Sequence, residues 1–237
     1  MNTLRPLRRF LVRARRSLCE AVGVARFSRP ALHAIDRKLE RHLDFDGGFF
    51  IEAGANDGYD QSNTYYFEKM RGWTGLLIEP VPALAAECRR NRRGRVIEAA
   101  LVAEARPGER VELHFVGLMT TMEGALGGAA ETARHVALGV EVQALAGSYR
   151  LQVPARSLSA ILDDLGIDRR IDLLSLDVEG AEAAALRGLD FARHAPRFIC
   201  VEVRDRPVIE ALLNPRYRLL EVLTDLGNYQ DLLYVLK

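Results

Sequence analysis

The chain is short of lysine. Only Lys38, Lys69 and Lys237 occur among its 33 basic residues, so arginine carries almost all the positive charge. Together with the many alanines, this reads as genome composition rather than function. Cysteine is scarce too: Cys19, Cys88 and Cys200 are far apart, with no Cys-x-x-Cys pair and no Cys/His cluster. That excludes a disulfide framework and a zinc site and suggests a reducing cytoplasm. No apolar run approaches the roughly 20 residues that span a bilayer. A secretory signal core is not expected, because Arg13, Arg15 and Arg16 interrupt the segment where it would lie. The N-terminal arginines lack interleaved aromatics, so no nucleic-acid partner is expected.

What is present is an ordinary globular balance over 237 residues, 49% hydrophobic and 27% charged. This suits one large α/β domain, or a domain plus an appendage. The net charge of +1 conceals an asymmetry. Residues 1–45 hold eleven Lys/Arg against four Asp/Glu, and the remainder holds 22 against 28. The organisation expected is a basic helical extension over 1–45 and a domain over 46–237, with a lid-like insertion at 117–150. In the extension, Leu4, Leu7, Leu11, Leu18 and Val22 recur at helical spacing, with arginines on much of the other face. A surface helix packed on the domain is the plain reading. A basic amphipathic helix can also lie on an anionic membrane surface or meet a partner, which would make the protein peripheral at the inner face. A second helix is expected over 31–44, from Leu32, Ile35, Leu39 and Leu43.

From Phe49 the pattern alternates. Strands are expected at 48–53, 75–79 and 96–102, with helices at 61–71 and 82–92 between them, the second opened by Pro82. This rhythm implies a parallel sheet with helices on both faces. An added strand at 111–116 and a return strand near 151–153 flank the Gly- and Ala-rich stretch 117–150, within which 136–145 reads as a short helix. A loop this long often forms a binding segment. The rhythm resumes with a helix at 158–165 behind Ser157, a strand at 171–177, a helix from Gly180, a strand at 197–203 and a helix at 207–213. Two final strands, 217–224 and 230–236, meet across Gly227-Asn228, giving the sheet an antiparallel member.

The chemistry concentrates in two stretches. The first is Phe49-Phe50-Ile51-Glu52-Ala53-Gly54-Ala55-Asn56-Asp57-Gly58, a buried strand running into a turn. Gly54 and Gly58 allow a close backbone approach to a ligand, and Asn56 tolerates a left-handed conformation. Glu79, before Pro80, closes the next strand 21 residues after Gly58. An acid there can accept hydrogen bonds from both hydroxyls of a ribose. The glycine order does not match the GxGxxG of a dinucleotide site, which disfavours an NAD-dependent oxidoreductase. The second stretch is Asp177-Val178-Glu179-Gly180-Ala181-Glu182. Asp177 and Glu179 could orient a substrate, accept a proton or hold a hard cation such as Mg2+. Glu182 fits a helix-dipole role. Glu202 is either a site residue or a partner of Arg204. His114 and His135 lie on or beside the insertion and could reach the same mouth, although a lone histidine is more often structural.

IEAGANDG, the downstream LLIEP and IDLLSLDVEGAE, with Val153-Pro154-Ala155-Arg156-Ser157-Leu158 before the last of these, resemble the FkbM-type family of S-adenosylmethionine-dependent methyltransferases. The resemblance runs from about Phe49 to Val203. It implies the class I, Rossmann-like, seven-stranded mixed sheet with an antiparallel last strand. It also implies that the Glu52–Gly58 loop holds the methionine part of S-adenosyl-L-methionine, that Glu79 binds ribose, and that Ala100 and Leu101 edge the adenine. Such enzymes commonly O-methylate sugars, polyketides and other secondary or surface metabolites, so a small-molecule or glycan acceptor is expected. The alternative reading keeps the fold without the reaction: a cofactor-binding scaffold docked through its basic helix to a membrane or biosynthetic complex.

Overall fold

The computed structural model describes residues 4–237, with side chains from Leu11 onward. The chain begins with α1 (Leu4–Ala21), and the side chains of Leu4 and Leu7, two expected members of its apolar stripe, lie outside the described residues. The second expected helix is shorter than its pattern. A 3-10 turn at Leu32–Ala34 comes first, His33 and Ala34 adopt positive φ, and only α2 (Ile35–Glu40) is α-helical.

The alternating segment then delivers β1 (Phe49–Ala53), α3 (Tyr65–Met70), β2 (Thr74–Ile78), α4 (Pro82–Asn91) and β3 (Arg95–Ile97). The third expected strand is split. After β3 the chain leaves the main sheet, and β4 (Ala100–Leu101) pairs instead with β7 (Tyr149–Arg156). Between these lie β5 (Arg110–Phe115), β6 (Thr121–Met122) and α5 (Ala129–Val142). β4, β7, β5 and β6 form a small second sheet, with β5 and β7 antiparallel. The insertion helix starts seven residues earlier than its pattern at 136–145, because its first turns (Ala129–His135) are small and polar rather than apolar.

The chain returns through α6 (Leu158–Asp164), capped by the Ser157 hydroxyl accepting from the Ala160 amide at 3.2 Å. It continues through β8 (Leu173–Leu176), α7 (Glu182–Arg187), β9 (Phe198–Val203), α8 (Arg206–Leu213), β10 (Tyr217–Asp225) and β11 (Gln230–Leu236). The main sheet has the order β10-β11-β9-β8-β1-β2-β3. All neighbours are parallel except β11, which runs antiparallel to both β9 and β10. This is the seven-stranded mixed sheet of class I methyltransferases.

Residues alternate between two apolar layers, as period-2 strands require. One side of the sheet presents Ile51, Ile78, Leu174, Leu176, Ile199 and Val201 to Leu158, Ile161, Leu186 and Ile209 of α6, α7 and α8. The other presents Phe50, Leu77, Leu173, Phe198 and Leu233 to Leu39, Phe67 and Cys88 of α2, α3 and α4, and to Trp73. Each such side chain, fully buried, contributes about 1.5–3 kcal/mol. Leu39 and Leu43 have no exposed surface, so the chain from Ile35 onward is built into the core.

Candidate active site

The parallel strands β1, β2, β8 and β9 end at one edge, and the switch in direction of connection falls between β1 and β8. In open α/β sheets that is where ligands bind. A cavity of about 530 Å³ opens there, a size suited to a nucleoside with room beside it.

The loop after β1 shapes the first wall. Gly54 has φ +81°, and a Cβ on it would lie 1.7 Å from the carbonyl oxygen of Asp177, so no other residue fits between the two strand ends. Asn56 adopts φ +49°, which turns its amide toward Glu79; the Glu79 carboxylate accepts it at 2.8 Å and accepts the Val81 amide at 2.9 Å. Glu79 is buried, and desolvation, opposed only in part by the Val81 and Asn56 amides, pushes its pKa up to about 7. Two amides leave lone pairs on both its oxygens, so the carboxylate fits a ribose diol. Pro80, Ala100 and Leu101 continue this wall, as an adenine pocket needs.

Three expected residues have different roles. The Glu52 carboxylate is already engaged by Ser62 and Thr64 hydroxyls, the Asn63 amide and Arg92, at 2.6–3.0 Å. It lines the cavity but holds the loop more than it faces a ligand. Asp57 turns back on its own loop, accepting the amides of Tyr59 and Asp60 at 2.8 Å. Gly58 packs on α4, where a Cβ would meet the Arg92 side chain at 2.7 Å. Neither Asp57 nor Gly58 lines the cavity. Arg92, absent from the expected site, is completely buried and also pairs with Glu68 at 3.3 Å. Its place in the sequence, after the arginines Arg89 and Arg90 at a helix end, gave no signal of burial.

The second wall is acidic. Asp177 follows β8, deep in the molecule but open to the cavity, and its carboxylate makes no hydrogen bond among the described residues. Desolvation first, then the charges of Glu202 and Glu179, hold its pKa well above the usual carboxylate range. Glu179 has φ +52°, and desolvation together with Glu202 pushes its pKa up to about 8 against the opposing pull of Arg204. Arg204 donates to both Glu179 and Glu202, so Glu202 is at once a cavity residue and an arginine partner. Glu182 accepts the amides of Val178 and Gly180 at 3.0 and 3.1 Å, the expected helix-terminal role.

The insertion covers this wall. The Thr121 hydroxyl donates to the Glu179 carbonyl at 2.7 Å, and a Cβ on Gly180 would meet Leu126 at 2.5 Å. His135 lies 3.8 Å from Glu179 and hydrogen-bonds the Met119 carbonyl; burial holds its pKa below the usual value. His114, expected at the mouth, points away. It pairs with Glu123 and lines a separate cavity, because β5 is an inner strand of the small sheet and successive side chains take opposite faces. Among the described residues that line the main cavity, no trio of acids or histidines lies close enough to share an ion, so the Mg2+ expectation gains no support there. Among the described residues, the one trio close enough to share an ion is Glu112, His114 and Glu123, on that other face.

The strand order, with a cavity of this size at its switch point lined by Glu79 on one wall and by Asp177 and Glu179 on the other, is the architecture of the class I methyltransferase fold. The chain matches the methyltransferase FkbM domain over residues 52–227, and it belongs to that family. It is 27% identical over 150 residues to "Methyltransferase 1" of Beauveria bassiana, covering 61% of this chain; the chain spans about 59% of that relative's length. Similar solved structures include a TehB-like SAM-dependent methyltransferase from Corynebacterium glutamicum, with TM-score 0.44, 10% identity, and coverage of 98% of this chain and 100% of that one. Another is fibrillarin from Aeropyrum pernix with natively bound S-adenosyl-L-methionine, with TM-score 0.44, 12% identity, and coverage of 85% and 76%.

Proposed function

We propose that this methyltransferase acts on a hydroxyl, transferring methyl to the oxygen of a sugar, a polyketide or another secondary or surface metabolite. S-adenosylmethionine supplies a methyl group already activated by its sulfonium. What remains for the protein is to orient the acceptor, exclude water and take the hydroxyl proton. The observation that carries the reading is the pair Asp177 and Glu179 beside the cavity: burial and neighbouring acids raise the Asp177 pKa well above the usual carboxylate range and push that of Glu179 up to about 8. A base works best when its pKa lies near the working pH. Asp177, with no hydrogen-bond partner for its carboxylate among the described residues, is the residue we assign to receive the proton; Glu179, tied to Arg204, positions the acceptor beside it.

Beyond Asp177 the cavity continues past Glu202, Asp231, Asn228 and Tyr229, a row rich in acceptors for hydroxyl donors. Leu118, Met119, Leu138 and Val142 of the insertion form the opposite side. This supports a lid role for 117–150 in choosing the acceptor. The test is incubation of the protein with labelled S-adenosylmethionine and cell extract, with and without Mg2+ and chelator, followed by identification of the labelled product. A product carrying an O-methyl group, lost in Asp177→Asn, is expected. Label on nitrogen or carbon, or none with the cofactor bound, would overturn the reading.

A further inference from the structure

Helix α1 is docked by its charged side. Arg13 pairs with Glu87 of α4 at 2.5 Å. The Arg16 guanidinium lies 3.7 Å from the centre of the Tyr59 ring and 3.4 Å from Asn91 Oδ1, and Arg16 is only 5% exposed. Glu20, one turn on, accepts the Ser28 hydroxyl at 2.9 Å. The apolar side faces outward: Leu11 is 57% exposed, and Leu18 and Val22 are each 68% exposed. At 100° per residue these three lie within about 40° of one another, and Arg16 lies about 140° from Leu11. Val12 and Val24 widen the exposed stripe.

A surface helix ordinarily turns its apolar stripe to the core and its charges to water. Here the arrangement is reversed, and the reversal is fixed by buried arginine contacts. The stripe's occupant follows from charge. The segment 1–45 holds eleven basic residues against four acidic ones. Arg15 and Arg26, both exposed, stack on Phe27 at 4.3 and 5.5 Å rather than pairing with an acid. A second copy would bring like charge against like. An apolar stripe bordered by unneutralised arginines matches the boundary between anionic headgroups and acyl chains.

We infer that α1 lays Leu11, Leu18 and Val22 into an anionic lipid surface, with Arg13 and Arg16 holding the catalytic domain against it. The attachment bears on the site as well. Asn91, the Arg16 partner, donates to the Asp57 carbonyl at 2.7 Å, so the membrane-bound helix and the loop after β1 are two contacts apart.

The test is co-sedimentation of the full chain with phosphatidylcholine vesicles, with and without phosphatidylglycerol. Binding to the anionic vesicles alone is expected, weakening as salt rises. The triple variant Leu11→Ser/Leu18→Ser/Val22→Ser should lose at least about tenfold in vesicle affinity while its calorimetric affinity for S-adenosylmethionine stays unchanged. Arg15→Glu/Arg26→Glu, which leaves the stripe intact, should weaken binding mainly at low salt. Equal binding of the triple variant, or no binding of the parent, overturns the inference. So does a dimer of the parent, seen by sedimentation, that the triple substitution abolishes without any vesicle binding.

Discussion

The guanidinium of Arg204 joins Glu179 and Glu202 across two strand ends, with Glu202 at 3.1 Å. Burial and the Glu202 charge push the Glu179 pKa up to about 8, and Arg204 opposes both. Removing the cation raises that pKa further, because the ionised form loses its partner. Arg204→Gln should therefore move the acid limb of the kcat/KM profile to higher pH. Activity at pH 7 should fall about tenfold for each unit of displacement. A pH–rate profile of parent and variant checks this. An unmoved acid limb would mean that neither Glu179 nor the Asp177 coupled to it limits the reaction.

Glu79 gives a second titration, visible in binding rather than rate. With its pKa pushed up to about 7 by burial, the carboxylate is half protonated at neutral pH in the empty site. Only the ionised form can accept from both ribose hydroxyls without giving up an oxygen to its own proton. Affinity for S-adenosylmethionine should thus rise with pH between 6 and 8. Glu79→Gln should weaken binding by about 10- to 100-fold, the range for hydrogen bonds to a charged group, and flatten the pH dependence. Isothermal calorimetry across that range measures both.

Much of this was legible because the strand signals are strong. Leu76-Leu77-Ile78 and Leu173-Leu174 are continuous apolar runs, as strands covered on both faces must be, and Gly227-Asn228 marked the final hairpin. Glu79 and Asp177 are legible as cavity-lining residues because each is an acid at the end of such a run. The misses share a physical cause. Asp57 and Gly58 share the loop by adjacency alone: Asp57 turns back to the Tyr59 and Asp60 amides, and Gly58 packs against Arg92 and Cys88. His114 was placed by proximity in sequence, and one strand's alternation sends it to the other face. Val96–Val102 was read as one strand because nothing in Glu98-Ala99 announces that Ala100 will pair with Ala155 instead. Arg92 could not be foreseen at all. Its burial depends on Glu52 and Glu68, 40 and 24 residues away, meeting it in space.

Arg92 also gives a stability prediction. It is completely buried between two acids and donates to Ser62 and Thr64 at 3.0 and 2.8 Å. Arg92→Met would leave Glu52 without its cation and Glu68 with Lys69 alone. Breaking a buried pair from one side costs about 3–5 kcal/mol, which for a chain of this size lowers the melting temperature by about 10 °C. Cofactor affinity should fall too, since Glu52 and Ser62 anchor the loop that follows β1. Thermal denaturation followed by circular dichroism measures the first effect. A variant as stable as the parent would show that the two acids take up protons or water at little cost.

Among the contacts that couple the insertion to the acid wall is one hydrogen bond that can be removed without changing shape. Thr121→Val keeps the β-branched side chain of β6 and deletes only the hydroxyl that donates to the Glu179 carbonyl at 2.7 Å. Glu179 is held at positive φ, a conformation a non-glycine residue keeps only when its surroundings fix it. Without the donor, the backbone loses one of those constraints and the Glu179 carboxylate can swing away from Asp177. The wall formed by Glu79, Pro80, Ala100 and Leu101 is untouched. Acceptor turnover should fall by about three- to tenfold, the worth of one such bond, with the cofactor dissociation constant unchanged. Deleting Gly124–Leu145 should abolish acceptor turnover while leaving cofactor binding measurable. Equal loss of cofactor binding in Thr121→Val would instead make the insertion a general support of the fold, with no part of its own in choosing the acceptor.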